Sequence, residues 1–117
     1  MSSEVKMSYD VRGVTIELRI RSGVFIPTEH GRLYAQHMAV SPGARVLDVG
    51  TGSGFLAILA AKHGAKVTAL DVDEVSIQCA INNAKLNDVK IDFVVSDLLK
   101  SAPKRTYDLG SKMGSGL

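Results

Sequence analysis

The stretch VLDVGTGSGF, residues 46–55, constrains this chain more than any other. A short apolar run, of the kind found in a parallel strand covered on both faces, gives way to glycines at 50, 52 and 54. The apolar segment FLAILAAKHG follows at once and reads as a helix closed by Gly64. A chain that turns this sharply from strand to helix needs positive backbone angles or close backbone approach, and glycine supplies both. Such a turn also leaves the N–H groups of the helix N-terminus free to meet a ligand. Three alternating glycines therefore argue for a nucleotide-like ligand lying across the carboxyl ends of the strands, against the plainer alternative of a tight turn with no ligand.

The rest of the chain repeats the pattern. KVTALDV reads as a second buried strand, with Asp73 as N-cap of the next helix. In that helix Ile77, Ala80, Ile81 and Ala84 form one apolar stripe, and IDFVVSD reads as a third strand. Alternating strands and helices with short connections predict a right-handed, parallel α/β sheet of three to four strands. Upstream, Val14, Ile16, Leu18 and Ile20 alternate with polar residues and predict a half-buried strand ended by Ser22-Gly23. A short extended piece over 24–26 and a helix from Pro27-Thr28 to about Met38 follow, then a turn at SPGA, residues 41–44. The opening MSSEVKMS is polar and is expected to fray. The expected organisation is a β segment and helix over 1–43, a Rossmann-like half-domain over 44–109, and an unstructured tail over 110–117.

Composition narrows the functions. At 117 residues the chain is one domain at most, and a net charge of +2 makes no case by itself for a nucleic-acid footprint. The single Cys79 excludes an internal disulfide, and the three histidines share no metal-ligand spacing, so no metal is expected. The N-terminus has no signal-peptide pattern and no 18-residue apolar run is present, so a cytoplasmic protein without a membrane partner is the default expectation.

The spacing of the glycines separates ligands. A dinucleotide fingerprint wants glycine at its first, third and sixth positions, but the sixth position counted from Gly50 is the bulky Phe55. No Gly-Lys-Ser/Thr follows, so a triphosphate P-loop is excluded. At VLDVGTGSGFLAILAA, GAKVTALDVD and INNAKLNDVKIDFVVSDLL the chain resembles the class I methyltransferases that use S-adenosylmethionine. Within them, NNAKLNDVKIDFVVSDLL and the upstream GVFIPTE are similar to the release-factor glutamine methyltransferases, and to related enzymes that methylate adenine or guanine amino groups.

The resemblance implies roles position by position. Asp48, Gly50, Thr51, Gly52 and Gly54 match the motif that wraps the methionine part of the cofactor, with Asp48 holding either the loop or the cofactor's amino end. Asp71 is expected to accept both ribose hydroxyls, which suits a carboxylate's two acceptor oxygens. Val72 would pack on the adenine, Asp97 would accept from its amino group, and Leu98 would lie beside the ring. Asp97 could instead cap a helix. Pro27 and Glu29 fit a segment that lines the family's cofactor pocket, but His30 and Gly31 stand where Asp and Thr are usual.

The family also implies an Asn-Pro-Pro-Tyr segment after the fourth strand, which presents a planar amide or base amino group to the sulfonium methyl. Tyr107, Asp108 and Leu109 match the approach to that segment, but Gly110, Ser111, Lys112 and Met113 follow. The expectation is a C-terminally truncated methyltransferase that keeps the cofactor half-site and has no catalytic residues of its own. The first strand, central in the full sheet, would lie near an edge and invite self-association or a partner subunit. The acceptor would be a protein glutamine amide, with a nucleic-acid amino group or a non-catalytic interaction module as alternatives. A nicotinamide-dependent oxidoreductase is disfavoured by Phe55.

Overall fold

Two β-sheets with two helices between them make up residues 3–27, 35 and 40–96, the part of the chain that the computed structural model describes. The first sheet is a hairpin of β1 (Glu4–Val11) and β2 (Val14–Arg21), antiparallel in the register Glu4↔Arg21 to Val11↔Val14. Arg12 and Gly13 form its two-residue turn, both with positive φ (52° and 81°), the backbone twist that matches a right-handed pair of strands.

The β2 strand follows the expected alternation, with Ile16, Leu18 and Ile20 buried. The frayed N-terminus expected from MSSEVKMS is corrected by β1: only Met1 and Ser2 fall outside the described residues there. The polar residues of this segment are the outward half of a strand. Tyr9 and Val11 are buried and Met7 half-buried, so apolar side chains recur at every second position.

The second sheet is parallel, with β3 (Arg45–Val49), β4 (Lys66–Asp71) and β5 (Asp92–Val95) side by side in that order. Its register runs Arg45↔Lys66 to Val49↔Leu70 and Thr68↔Asp92 to Asp71↔Val95. The crossovers are α1 (Phe55–Lys62) and α2 (Glu74–Leu86). This is the Rossmann-like arrangement expected from the alternating pattern, and each of these five elements falls where the sequence places it. Of the expected helix over 27–38 only Pro27 and Ala35 are among the described residues, Ala35 helical and buried, while the expected fourth strand at YDLG and the 110–117 tail lie outside them. Among the described residues β3 is an outer strand of the order β3-β4-β5, the position expected from the sequence, and its Leu47 and Asp48 each make a further interaction.

The layering explains why α1 is apolar on every side. It packs on β3 and β4 beneath and on β2 above, burying Phe55, Ala57, Ile58, Leu59 and Ala60. The Tyr9 and Phe55 rings meet at 5.0 Å and 53°, a tilted pair that ties the hairpin to the first turn of α1. One apolar cluster runs from Ile16, Leu18 and Ile20 through Ile58 and Leu59 to Val46, Val67 and Ala69. The hairpin and the parallel sheet therefore share a core.

On α2 the expected stripe holds, with Ile77, Ala80 and Ala84 buried and Ile81 half-buried. The hairpin side of the same helix carries Cys79, Asn83 and Asn87, all buried. Among the described residues no helix is long and apolar enough to cross a membrane.

Candidate functional site

The carboxyl ends of β3 and β4 hold the glycine loop, residues 50–54, in a fixed shape. Gly50, Gly52 and Gly54 all have positive φ (72°, 54° and 90°), a conformation that costs side-chain-bearing residues energy. Three successive loop amides are held by the end of β4. The N–H groups of Gly50 and Thr51 both donate to the Leu70 carbonyl, at 2.8 and 3.0 Å, and that of Gly52 donates to Asp71 Oδ2 at 3.0 Å. Beneath the loop, Thr51 Oγ1 donates to Asp48 Oδ2 at 2.7 Å, in a site where Asp48 is only 2% exposed. Of the two roles open to Asp48, holding the loop is the one this geometry displays.

The glycines do different work. A Cβ built on Gly52 would meet no atom within 4 Å, so the loop is bare towards open space at that point. A Cβ on Gly54 would stand 3.2 Å from the Ala80 Cβ, tighter than ordinary contact. Gly54 thus serves the close approach of α1 to α2, while Gly52 leaves room for something else. Gly54 is also the N-cap of α1 and offers no side-chain cap, so the first-turn N–H groups have no side-chain partner there.

Asp71 ends β4 half-buried and is shared between two backbone donors. Its Oδ2 takes the Gly52 N–H and its Oδ1 takes the Asp73 N–H at 3.0 Å. Its own carbonyl accepts from Ser96 at 3.0 Å, which draws the exit of β5 to the same end of the sheet. Val72, next in sequence, is 68% exposed, an apolar side chain held out beside the carboxylate. Asp73 caps α2, accepting from the Val75 N–H at 3.2 Å and from Ser76 Oγ at 3.0 Å. The structure thus brings Asp48, Gly50, Thr51, Gly52, Gly54, Asp71 and Val72 together at one end of the sheet. Asp97 and Leu98 lie outside the described residues.

Sequence reasoning missed Asn83 and Asn87. Asn87 Oδ1 accepts from the Glu17 N–H at 2.9 Å, and its Nδ2 donates to the Glu17 carbonyl at 2.6 Å. Asn83 Oδ1 accepts from the Arg19 N–H at 2.8 Å, and its Nδ2 donates to the Arg19 carbonyl at 3.1 Å. Four residues of helix rise about 6 Å, and two residues of strand about 6.6 Å. An i, i+4 pair of carboxamides therefore matches alternate peptide groups along the β2 edge and stands in for a neighbouring strand. The signal was present in the sequence as two asparagines four apart, beside an apolar stripe.

No cluster of three His, Cys, Asp or Glu suited to a metal ion occurs among the described residues. Two open clefts among the described residues lie away from this site, one between the hairpin and α2 and one at the amino ends of β4 and β5.

Comparison with known proteins agrees with the loop geometry. Residues 26–109 match the family model of ribosomal protein L11 methyltransferase (PrmA). The Caldicellulosiruptor bescii ribosomal protein L11 methyltransferase is 49% identical over 67 residues, covering 56% of this chain and 22% of that protein. A Methanocaldococcus jannaschii protein named as an N5-glutamine methyltransferase is 34% identical over 87 residues, covering 74% of this chain and 44% of that one. The crystal structure of ribosomal protein L11 methylase from Lactobacillus delbrueckii subsp. bulgaricus superposes with a TM-score of 0.63 at 34% identity, over 73% of this chain and 47% of that one.

The Thermus thermophilus 16S rRNA N2 G1207 methyltransferase, solved with AdoMet and guanosine, superposes with a TM-score of 0.77 at 22% identity, over 86% of this chain and 30% of that one. At that identity the match shows the shared fold alone. The chain spans about a fifth of the length of the first curated relatives it matches. From the loop at the end of β3, the carboxylate at the end of β4 and the family match across them, the chain belongs to the ribosomal protein L11 methyltransferase family, whose cofactor is S-adenosylmethionine.

Proposed function

We propose that this chain is the cofactor-holding part of an S-adenosylmethionine-dependent N-methyltransferase that acts on a protein. One observation carries the reading: the end of β4 fixes the amides of Gly50, Thr51 and Gly52 while the Cα side of Gly52 stays open beside the Asp71 carboxylate. A loop shaped before ligand arrives loses little entropy on binding. Each Asp71 oxygen already takes one N–H, and a carboxylate has about four acceptor positions, so two remain for a vicinal diol.

In this reading Asp71 receives the ribose, Val72 packs on the adenine, and Gly52 gives the methionine part room. Asp48, Gly50, Thr51 and Gly54 act by holding the loop. Asp97 and Leu98 are proposed for the adenine edge on sequence grounds.

The bound cofactor supplies an electrophilic methyl on a sulfonium centre. What the protein must add is orientation: the acceptor nitrogen in line with that methyl, and water kept away. The family names favour ribosomal protein L11 as the first acceptor to test. The methanocaldococcal relative supports a glutamine amide as the second. Gly110-Ser111-Lys112-Met113 stands where the amide-binding Asn-Pro-Pro-Tyr would follow Tyr107-Asp108-Leu109, so the chain by itself is proposed to bind cofactor without transferring methyl.

Calorimetry on the 117-residue chain tests the binding claim, with saturable heat expected for S-adenosylhomocysteine and none for NAD. Incubation with labelled S-adenosylmethionine and ribosomal protein L11 tests the second claim. Methyl incorporation by this chain alone would refute it.

A further inference from the structure

We propose that Asn83 is a positioning residue for the glycine loop, coupling the N-terminal hairpin to the cofactor site; this rests on the cofactor reading of that loop. Asn83 is fully buried in the last turn of α2, and its carboxamide serves two elements at once. Its Oδ1 accepts the Arg19 N–H at 2.8 Å, and its Nδ2 donates to the Arg19 carbonyl at 3.1 Å and to the Ser53 carbonyl at 2.9 Å. Ser53 lies between the bare Gly52 and the close-packed Gly54. An Asn amide has two N–H protons. One is committed to the hairpin edge and the other to the loop, with Cys79 Sγ at the long distance of 3.6 Å as a minor third acceptor.

Asn87 provides an internal control. It makes the same pair of bonds to the β2 edge, at Glu17, but its third bond goes to the Asn83 carbonyl within its own helix. Both asparagines anchor the hairpin, and Asn83 alone of the two reaches the loop. Without Asn83 the Ser53 carbonyl loses its buried donor, and the peptide units on either side are free to turn. Gly52 and Gly54 have no side chains to resist that rotation. The hairpin, through the Arg19 peptide, would then set the loop's shape by way of one side chain.

The test compares Asn83→Leu, which keeps size and removes the donors, with Asn87→Ala in the whole 117-residue chain. Two readouts are needed: amide hydrogen exchange at Gly52 and Gly54 without ligand, and affinity for S-adenosylhomocysteine. Asn83→Leu is expected to speed exchange at both glycines and weaken binding, each by about tenfold, while Asn87→Ala lowers the melting temperature and leaves both readouts within about twofold. Equal effects of the two variants, or unchanged loop exchange in Asn83→Leu, would overturn the proposal.

If the wild-type chain fails to bind S-adenosylhomocysteine while the exchange difference persists, the cofactor reading falls and the brace stands. Should Asn83→Leu not fold, the wild-type Asn83 Nδ2 protons give the answer by themselves. Slow exchange and a shift on adding S-adenosylhomocysteine support the coupling, and rapid exchange with no shift refutes it.

Discussion

The Gly52 amide donates to Asp71 Oδ2 across 3.0 Å, joining the barest point of the glycine loop to the acid at the tip of the neighbouring strand. Asp71 is thus a brace for the loop as well as the proposed ribose acceptor, and its removal should cost both. Asp71→Ala is expected to lower affinity for S-adenosylhomocysteine by about a hundredfold or more, because the Gly52 N–H and the ligand hydroxyls lose their partner together. Asp71→Asn keeps one acceptor oxygen and should lose about tenfold. Calorimetry on both variants checks the order.

Gly52 and Gly54 should respond to alanine in different ways. Gly52→Ala meets only the cost of a left-handed backbone, about 1–2 kcal/mol, since its Cβ would enter open space. It should leave the fold intact and obstruct the ligand. Gly54→Ala adds a contact of 3.2 Å with Ala80 to the same backbone cost, and about 2–4 kcal/mol of stability should go. Urea denaturation paired with ligand titration separates the two effects.

Thr51→Val should loosen the loop from below. The change removes the 2.7 Å bond to Asp48 and leaves that buried oxygen without this donor. A loss of about 1–3 kcal/mol is expected, read as a lower denaturation midpoint. Thr51→Ser, which keeps the hydroxyl, should recover most of it.

Leu18→Ala tests whether the hairpin belongs to the domain core. Leu18 is 1% exposed in the cluster that also holds Ile58 and Leu59 of α1. A cost of about 2–5 kcal/mol is expected. Because that core is shared, unfolding should remain a single transition followed by far-ultraviolet circular dichroism and by Tyr9 fluorescence alike, the latter read in a chain carrying Tyr34→Phe and Tyr107→Phe. Separate transitions for the hairpin and the sheet would contradict a common core.

The local rules of the parallel sheet were fully legible. RVLDV, FLAILAAK and KVTALD each end where a glycine or a capping aspartate says they should, and Asp73 caps α2 as read. The β1 strand was missed because its polar residues were weighed by composition, although Val5, Met7, Tyr9 and Val11 already carried the period of two. The separate duties of Gly52 and Gly54 could not be read from spacing, since they depend on Ala80 approaching one and nothing approaching the other. Asn83 and Asn87, although spaced four apart beside the apolar stripe, were passed over for a related reason. An asparagine on a helix reads as solvated surface until a strand edge of matching repeat is laid against it.

The account stands or falls on where an adenosyl ligand sits. Titrating the isotopically labelled chain with S-adenosylhomocysteine and following backbone amide shifts measures this directly. The predicted result is saturable change centred on Gly52, Ser53, Asp71 and Val72, with the outer face of β1 unmoved. Saturable binding that leaves Gly52 and Asp71 undisturbed, or no binding beside a clear response to NAD, would contradict it.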